Sequence, residues 1–159
     1  MREVDFLIRF LKAYSPTGRV DDARKVFIDE ALSLGVHTKV DDFGNVICEV
    51  GKGTPRILLC GHMDTVEGEI PVTIKDGIIS GRGAVDAKSS LAAMLYAIAS
   101  LQNNKDIKGN VILAAVIDEE GESNGVREIM KKYKEIDAAI VGEPTRTYGI
   151  AISYRGRIS

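Results

Sequence analysis

Ile57-Leu58-Leu59-Cys60-Gly61-His62-Met63-Asp64-Thr65-Val66 sets the frame for the whole chain. Four apolar residues lying between Pro55 and Gly61 read as a strand buried inside a covered sheet. The run delivers His62 and Asp64 two residues apart. In open α/β sheets, ligands collect just beyond the carboxyl ends of the strands. A His-x-Asp leaving such an end is placed to hold a metal ion, with the second carboxylate accepting from the free ring N–H. One such pair settles nothing alone, so the flanks decide.

Upstream, Val4, Leu7, Ile8, Leu11 and Tyr14 share a helical face, and the pattern stops at Ser15-Pro16-Thr17-Gly18. A second helix is expected from Val20 to Leu34, with Val26, Phe27 and Leu34 as its stripe and Gly35 as its stop. Val36–Val40 and Val46–Val50 read as strands. Downstream, Val72-Thr73-Ile74 and Ile78-Ile79 form a hairpin about Lys75-Asp76-Gly77. A helix follows from about Ser89 to Leu101, then a strand at Val111–Ile117, a helix at Val126–Tyr133, and strands at Ala138–Val141 and Gly149–Tyr154. This alternation argues α/β with a largely parallel sheet.

The chain has 159 residues, enough for one domain with a real core. A net charge of −2 gives no electrostatic reason to expect nucleic acid. The longest mostly apolar run, Leu91–Leu101, is too short to span a bilayer, and the opening residues lack the apolar core of a signal peptide. Cys48 and Cys60 are no disulfide framework, which makes a reducing cytoplasm the expected setting.

Every acidic cluster follows a strand: His62/Asp64, Asp86, Glu119/Glu120 and Glu143. Carboxylates with a histidine suit zinc, cobalt or manganese. Asp86, central in order, is placed to bridge two ions, and paired ions about 3.5–4 Å apart polarise a carbonyl and activate water. From an extended backbone Glu119 and Glu120 point to opposite sides, so one binds metal and the other serves as general base. Singly, each group has a plainer reading: a solvated acidic turn for Glu119-Glu120, a helix cap for Asp86, a loop carboxylate for Glu143, a core thiol for Cys60. Their joint occurrence at successive strand ends favours the metal reading. Gly81 to Ser89 superficially matches a phosphate-binding loop, but Ala87 stands where the Gly before Lys88 belongs and Asp86 would put a negative charge in the cradle.

Four motifs, Gly61-His62-Met63-Asp64-Thr65-Val66, Gly81-Arg82-Gly83-Ala84-Val85-Asp86-Ala87-Lys88, Asp118-Glu119-Glu120-Gly121-Glu122 and Gly142-Glu143-Pro144-Thr145, resemble the M20 family of co-catalytic metallopeptidases and amidohydrolases. The resemblance implies a three-layer zinc-exopeptidase-like domain using two divalent ions, zinc or cobalt. It implies that His62 and Glu143 hold one ion, that Glu120 holds the other, and that Asp86 bridges. Glu119 would be the general base and Asp64 would steady His62. A cis peptide between Asp86 and Ala87 also follows from the resemblance.

The short span from Glu67 to Ser80, and Ala87 after Asp86, look most like the carrier-protein lysine/ornithine hydrolases. Those enzymes release lysine or ornithine from a small acidic amino-group carrier protein in lysine and arginine biosynthesis. An N-acyl amino acid deacylase or a dipeptidase of the same family is the alternative. A non-catalytic metal-binding fragment is the rival from another class. Family members are longer and insert a lid domain that also makes a homodimer. Residues 1–154 then correspond to the N-terminal part of the catalytic domain, incomplete at its C-terminal end, and 155–159 to the start of the lid. With only His37 and His62 present, the second ion site is expected to be incomplete, the isolated chain poorly active, and a sheet edge open to self-association.

Overall fold

The run Arg56–His62 forms strand β3, and everything else is laid out around it. The computed structural model describes residues 2–104, 106–145 and 149–153. In chain order these give α1 (Arg2–Lys12), α2 (Asp21–Ser33), β1 (Thr38–Val40), β2 (Val46–Lys52), β3, β4 (Thr73–Lys75), β5 (Ile78–Ser80), α3 (Lys88–Leu101), β6 (Gly109–Val116), α4 (Asn124–Lys132) and β7 (Ala138–Val141). The main sheet runs β1-β2-β6-β3-β7. Its working half is parallel, with β6 and β7 flanking β3. The other half is antiparallel, β1 on β2 and β2 on β6. The chain is thus α/β with a mixed sheet that is parallel where the His62, Glu119/Glu120 and Glu143 motifs emerge.

Strand alternation explains the layers. Val46, Cys48, Leu59, Leu113 and Ala115 pack with Phe6, Phe10, Phe27, Leu91, Leu95 and Ile98 from α1, α2 and α3. Residues of opposite parity, Ile47, Cys60, Ile112, Ala114 and Val116, pack with Ile129 and Tyr133 beside α4. Cys60 therefore sits in the core, where burial above all, then the Glu143 and Glu119 carboxylates, push its thiol up to about 11.

Two readings of the sequence need correction. Helix α1 buries Phe6, Phe10 and Leu11, while Val4, Leu7 and Ile8 are only partly covered. The two Phe rings stack at 5.4 Å and both contact Phe27, so aromatic area decided which face turned inward. Residues 149–153 are not in a strand; Ile150 and Ile152 are 92% and 96% exposed and have no neighbouring strand among the described residues. Tyr154 and the 155–159 segment assigned to a lid lie outside the described residues. The hairpin did form, as the separate pair β4-β5, with Asp76 and Gly77 both left-handed as a tight two-residue turn requires. Among the described residues β7 pairs with β3 alone, and Ile140 and Val141 are exposed. No helix among them is long and apolar enough to cross a membrane.

Candidate metal centre

At the carboxyl end of β3, His62 is almost wholly buried and pairs in register with Val116 of β6. Its Nδ1 donates to the main-chain carbonyl of Asp64 at 2.9 Å. That bond selects the tautomer and leaves Nε2 facing a carboxylate cluster. The Asp64 carboxylate lies 3.7 Å from Nδ1 and is engaged elsewhere. It accepts from the Thr17 hydroxyl at 2.8 Å and from the main-chain N–H groups of Glu119 and Glu120 at 3.2 Å each.

The turn carrying Glu119 and Glu120 begins at Asp118, whose φ of +63° is left-handed. Asp tolerates this because its short side chain bonds locally; here it accepts from the Asn124 N–H and side-chain amide. Because the backbone turns rather than extends, Glu119 and Glu120 do not diverge. With His62 they form a trio whose ligand atoms all lie within 4.8 Å. The expectation of opposed side chains assumed a strand that has ended at Val116.

Asp86 comes from the loop entering α3, and the Asp86–Ala87 peptide is cis, as the family resemblance implied. Ala87, not Asp86, holds the N-cap position, so the capping reading of Asp86 is set aside. Gly83 has φ +83°, and a Cβ there would press within 3.1–3.2 Å of Lys88 and Thr65, so the loop requires glycine. The loop is bolted down by Lys88, fully buried, whose Nζ donates to the carbonyls of Phe10 and Ala13 near the end of α1. Burial lowers this ammonium to about 8. Glu143 arrives from the end of β7, where the Gly142 N–H donates to the Cys60 carbonyl at 2.7 Å.

All six residues singled out from the sequence therefore meet at one corner. Nε2 of His62 lies 2.9 Å from Asp86 Oδ1, 3.7 Å from Glu143 Oε1 and 3.8 Å from Glu119 Oε2. His62, Asp86 and Glu143 form a second trio within 4.8 Å. Ligand atoms at zinc distances sit about 3.3 Å apart around a tetrahedral ion, so the spacing fits a divalent cation, and imidazole with carboxylates is a suitable donor set. The electrostatics agree. Burial alone would lower His62, but the Asp64 carbonyl and the Glu143 and Glu119 carboxylates outweigh it and raise it. Glu120 and Glu143 are raised by burial first; Asp86 leads the charge contributions at Glu120, while at Glu143 His62 gives the largest charge effect, a lowering, opposed by the like charges of Glu119 and Asp86. Converging carboxylates of this kind are held at a cost that a cation relieves.

A cavity of about 350 Å³ opens beside Asp86 and Glu120, walled by Thr65, Val66, Arg82 and Val85. A larger concavity near His37, Glu49 and Arg56 lies at the opposite end of the sheet, where β3 begins. Sequence reasoning missed Thr17 and Lys88 as supports. Thr17 was read only as a helix stop, and the available signal was a Ser-Pro-Thr run carrying two hydroxyls.

Comparison with known proteins follows the same motifs. The family described as Peptidase family M20/M25/M40 matches residues 58–154. A protein of Thermococcus kodakarensis named putative LysW-lysine/LysW-ornithine hydrolase is 44% identical over 158 residues, covering 99% of this chain and 43% of that protein. One of the same name from Pyrococcus furiosus is 42% identical, covering 99% of this chain and 46% of that protein. The chain thus spans less than half the length of these relatives. Among solved structures, an M20 family metallo-carboxypeptidase from Sulfolobus solfataricus superposes with a TM-score of 0.75 at 25% identity, covering 89% of this chain and 37% of that one.

Proposed function

The chain belongs to peptidase family M20/M25/M40, and on that premise we propose that it forms the ion-binding part of a metal-dependent amidohydrolase. The reaction is hydrolysis of an amide to release lysine or ornithine from a small acidic amino-group carrier protein. The names of the Thermococcus and Pyrococcus relatives support this choice of substrate. The observation that carries the reading is the approach of the buried His62 Nε2 to Asp86, Glu143 and Glu119 within 3.8 Å.

His62, Asp86 and Glu143 would hold one ion, zinc or cobalt, Glu120 would hold the other, and Asp86 would serve both. A further ligand for that second site comes, in this reading, from outside the described residues. Bound here, divalent ions supply Lewis-acid polarisation of a carbonyl and lower the pKa of water towards neutrality. Glu119, about a third exposed at the mouth of the cluster, takes a proton from the attacking water and returns it to the departing amine nitrogen. The bond formed is carbon to water oxygen, and the bond broken is carbon to nitrogen. A homodimer and a cytoplasmic setting complete the proposal, the latter suited to the free thiols of Cys48 and Cys60.

The test is turnover of the lysine- or ornithine-loaded carrier protein by the full-length zinc or cobalt form, with N-acetyl-lysine and dipeptides as competing substrates. Glu119→Gln should lower kcat at least about 10²-fold with ion content unchanged. Preference for the acetylated amino acid or dipeptides would move the reading to the deacylase or dipeptidase alternative. Bound ions without Glu119-dependent turnover would make the chain a non-catalytic metal binder.

A further inference from the structure

Glu119 and Glu120 hang by their main-chain N–H groups from the Asp64 carboxylate, whose own orientation needs a further hold. We propose that Thr17 is a positioning residue for both, acting through Asp64; this rests on the ion-site reading above. The Asp64 carboxylate is fully buried and carries the Glu119 N–H on Oδ1 and the Glu120 N–H on Oδ2. The terminal torsion of an aspartate is broad, so two main-chain donors from one turn do not by themselves fix its plane. The Thr17 hydroxyl supplies the third contact, 2.8 Å from Oδ2, and comes from a different part of the chain.

Thr17 is itself anchored. Its N–H donates to the Thr65 carbonyl, Pro16 pairs with Thr65 as a short parallel bridge, and the Ser15 hydroxyl donates to the Met63 carbonyl. The residues either side of Asp64 are therefore tied to the same three-residue strap that presents the hydroxyl. On its other side the Thr17 methyl packs against Gly121: a Cβ there would fall 2.9 Å from Thr17 Cγ2. Thr17 thus touches both the carboxylate that holds the acidic turn and the turn itself. Moving the hydroxyl lets Asp64 rotate, and Glu119 and Glu120 move with their N–H groups while His62, Asp86 and Glu143 keep their places.

Thr17→Val keeps shape and removes the hydroxyl; Thr17→Ser keeps the hydroxyl. Supports one step removed from the ligands typically carry 10–100-fold in metal affinity or activity. In the full-length protein titrated with cobalt(II) and followed by its visible absorption, Thr17→Val should bind the first ion as wild type does. The second ion should bind 10–100-fold more weakly, and kcat should fall by a similar factor with KM nearly constant. Thr17→Ser should restore both. Undisturbed first-ion binding doubles as the check that the variant is folded. If Thr17→Val matches wild type, weakens both ions equally, or is not rescued by Thr17→Ser, the positioning role is wrong while the ion site stands. If wild type itself takes up no cobalt, the ion-site reading fails and this one falls with it.

Discussion

Asp64 and Asp86 approach the same imidazole from opposite sides. On the Asp64 side, a fully buried carboxylate is satisfied by the protein alone, through the Thr17 hydroxyl and two main-chain N–H groups. On the Asp86 side, a half-exposed carboxylate makes one close contact, to His62 Nε2, and faces Glu119, Glu120 and Glu143. The first region is a strut, built by pairing every acceptor with a donor. The second is a gathering of acceptors short of donors, which is what a cation site looks like before the cation is considered.

The largest expected effect breaks the strut. Asp64→Ala would leave a hydroxyl and two N–H groups facing a buried gap, and should lower stability by about 3–5 kcal/mol, read by urea unfolding of chelated protein. A loss below about 1 kcal/mol would show that water replaces the carboxylate and that the region is no strut.

A smaller effect comes from pH. His62, Glu120 and Glu143 all titrate higher in the folded protein than at their ordinary values of 6.5 and 4.5. Between those values and the raised ones, the folded state binds more protons than the unfolded, so stability falls as pH rises. The ion-free protein should therefore be more stable near pH 5 than near pH 8, and excess zinc should remove or reverse the difference. Equal urea midpoints at both pH values without metal would contradict the crowding argument.

The smallest effect is at the other aspartate. Asp86→Ala should change the stability of the chelated protein by no more than about 0.5 kcal/mol, because it removes one of several like charges and leaves Glu143 and Glu119 beside His62 Nε2. Destabilisation comparable to Asp64→Ala would erase the contrast between the two regions.

Much of this was legible in the sequence, for stated reasons. The β3 run, the Asp76-Gly77 turn and the Gly35 helix stop are local signals, and local rules read them. The four acidic motifs were legible as a set because each follows a strand, three of them in the main sheet and Asp86 after β5 of the separate pair. Three things were not. The inward face of α1 depended on Phe27, which lies in another helix. The convergence of Glu119 and Glu120 depended on one left-handed residue, Asp118. The strut depended on residues 47 to 56 positions apart in the chain. Periodicity sees none of these, since each is settled by a partner distant in sequence.

The central claim is that Asp86 is shared between two ion sites. Calorimetric titration of chelated protein with cobalt(II) tests it most directly, comparing wild type with Asp86→Asn and Glu120→Gln. The account predicts that Glu120→Gln loses the second ion only, while Asp86→Asn loses both. Unchanged stoichiometry and affinity in Asp86→Asn would contradict it.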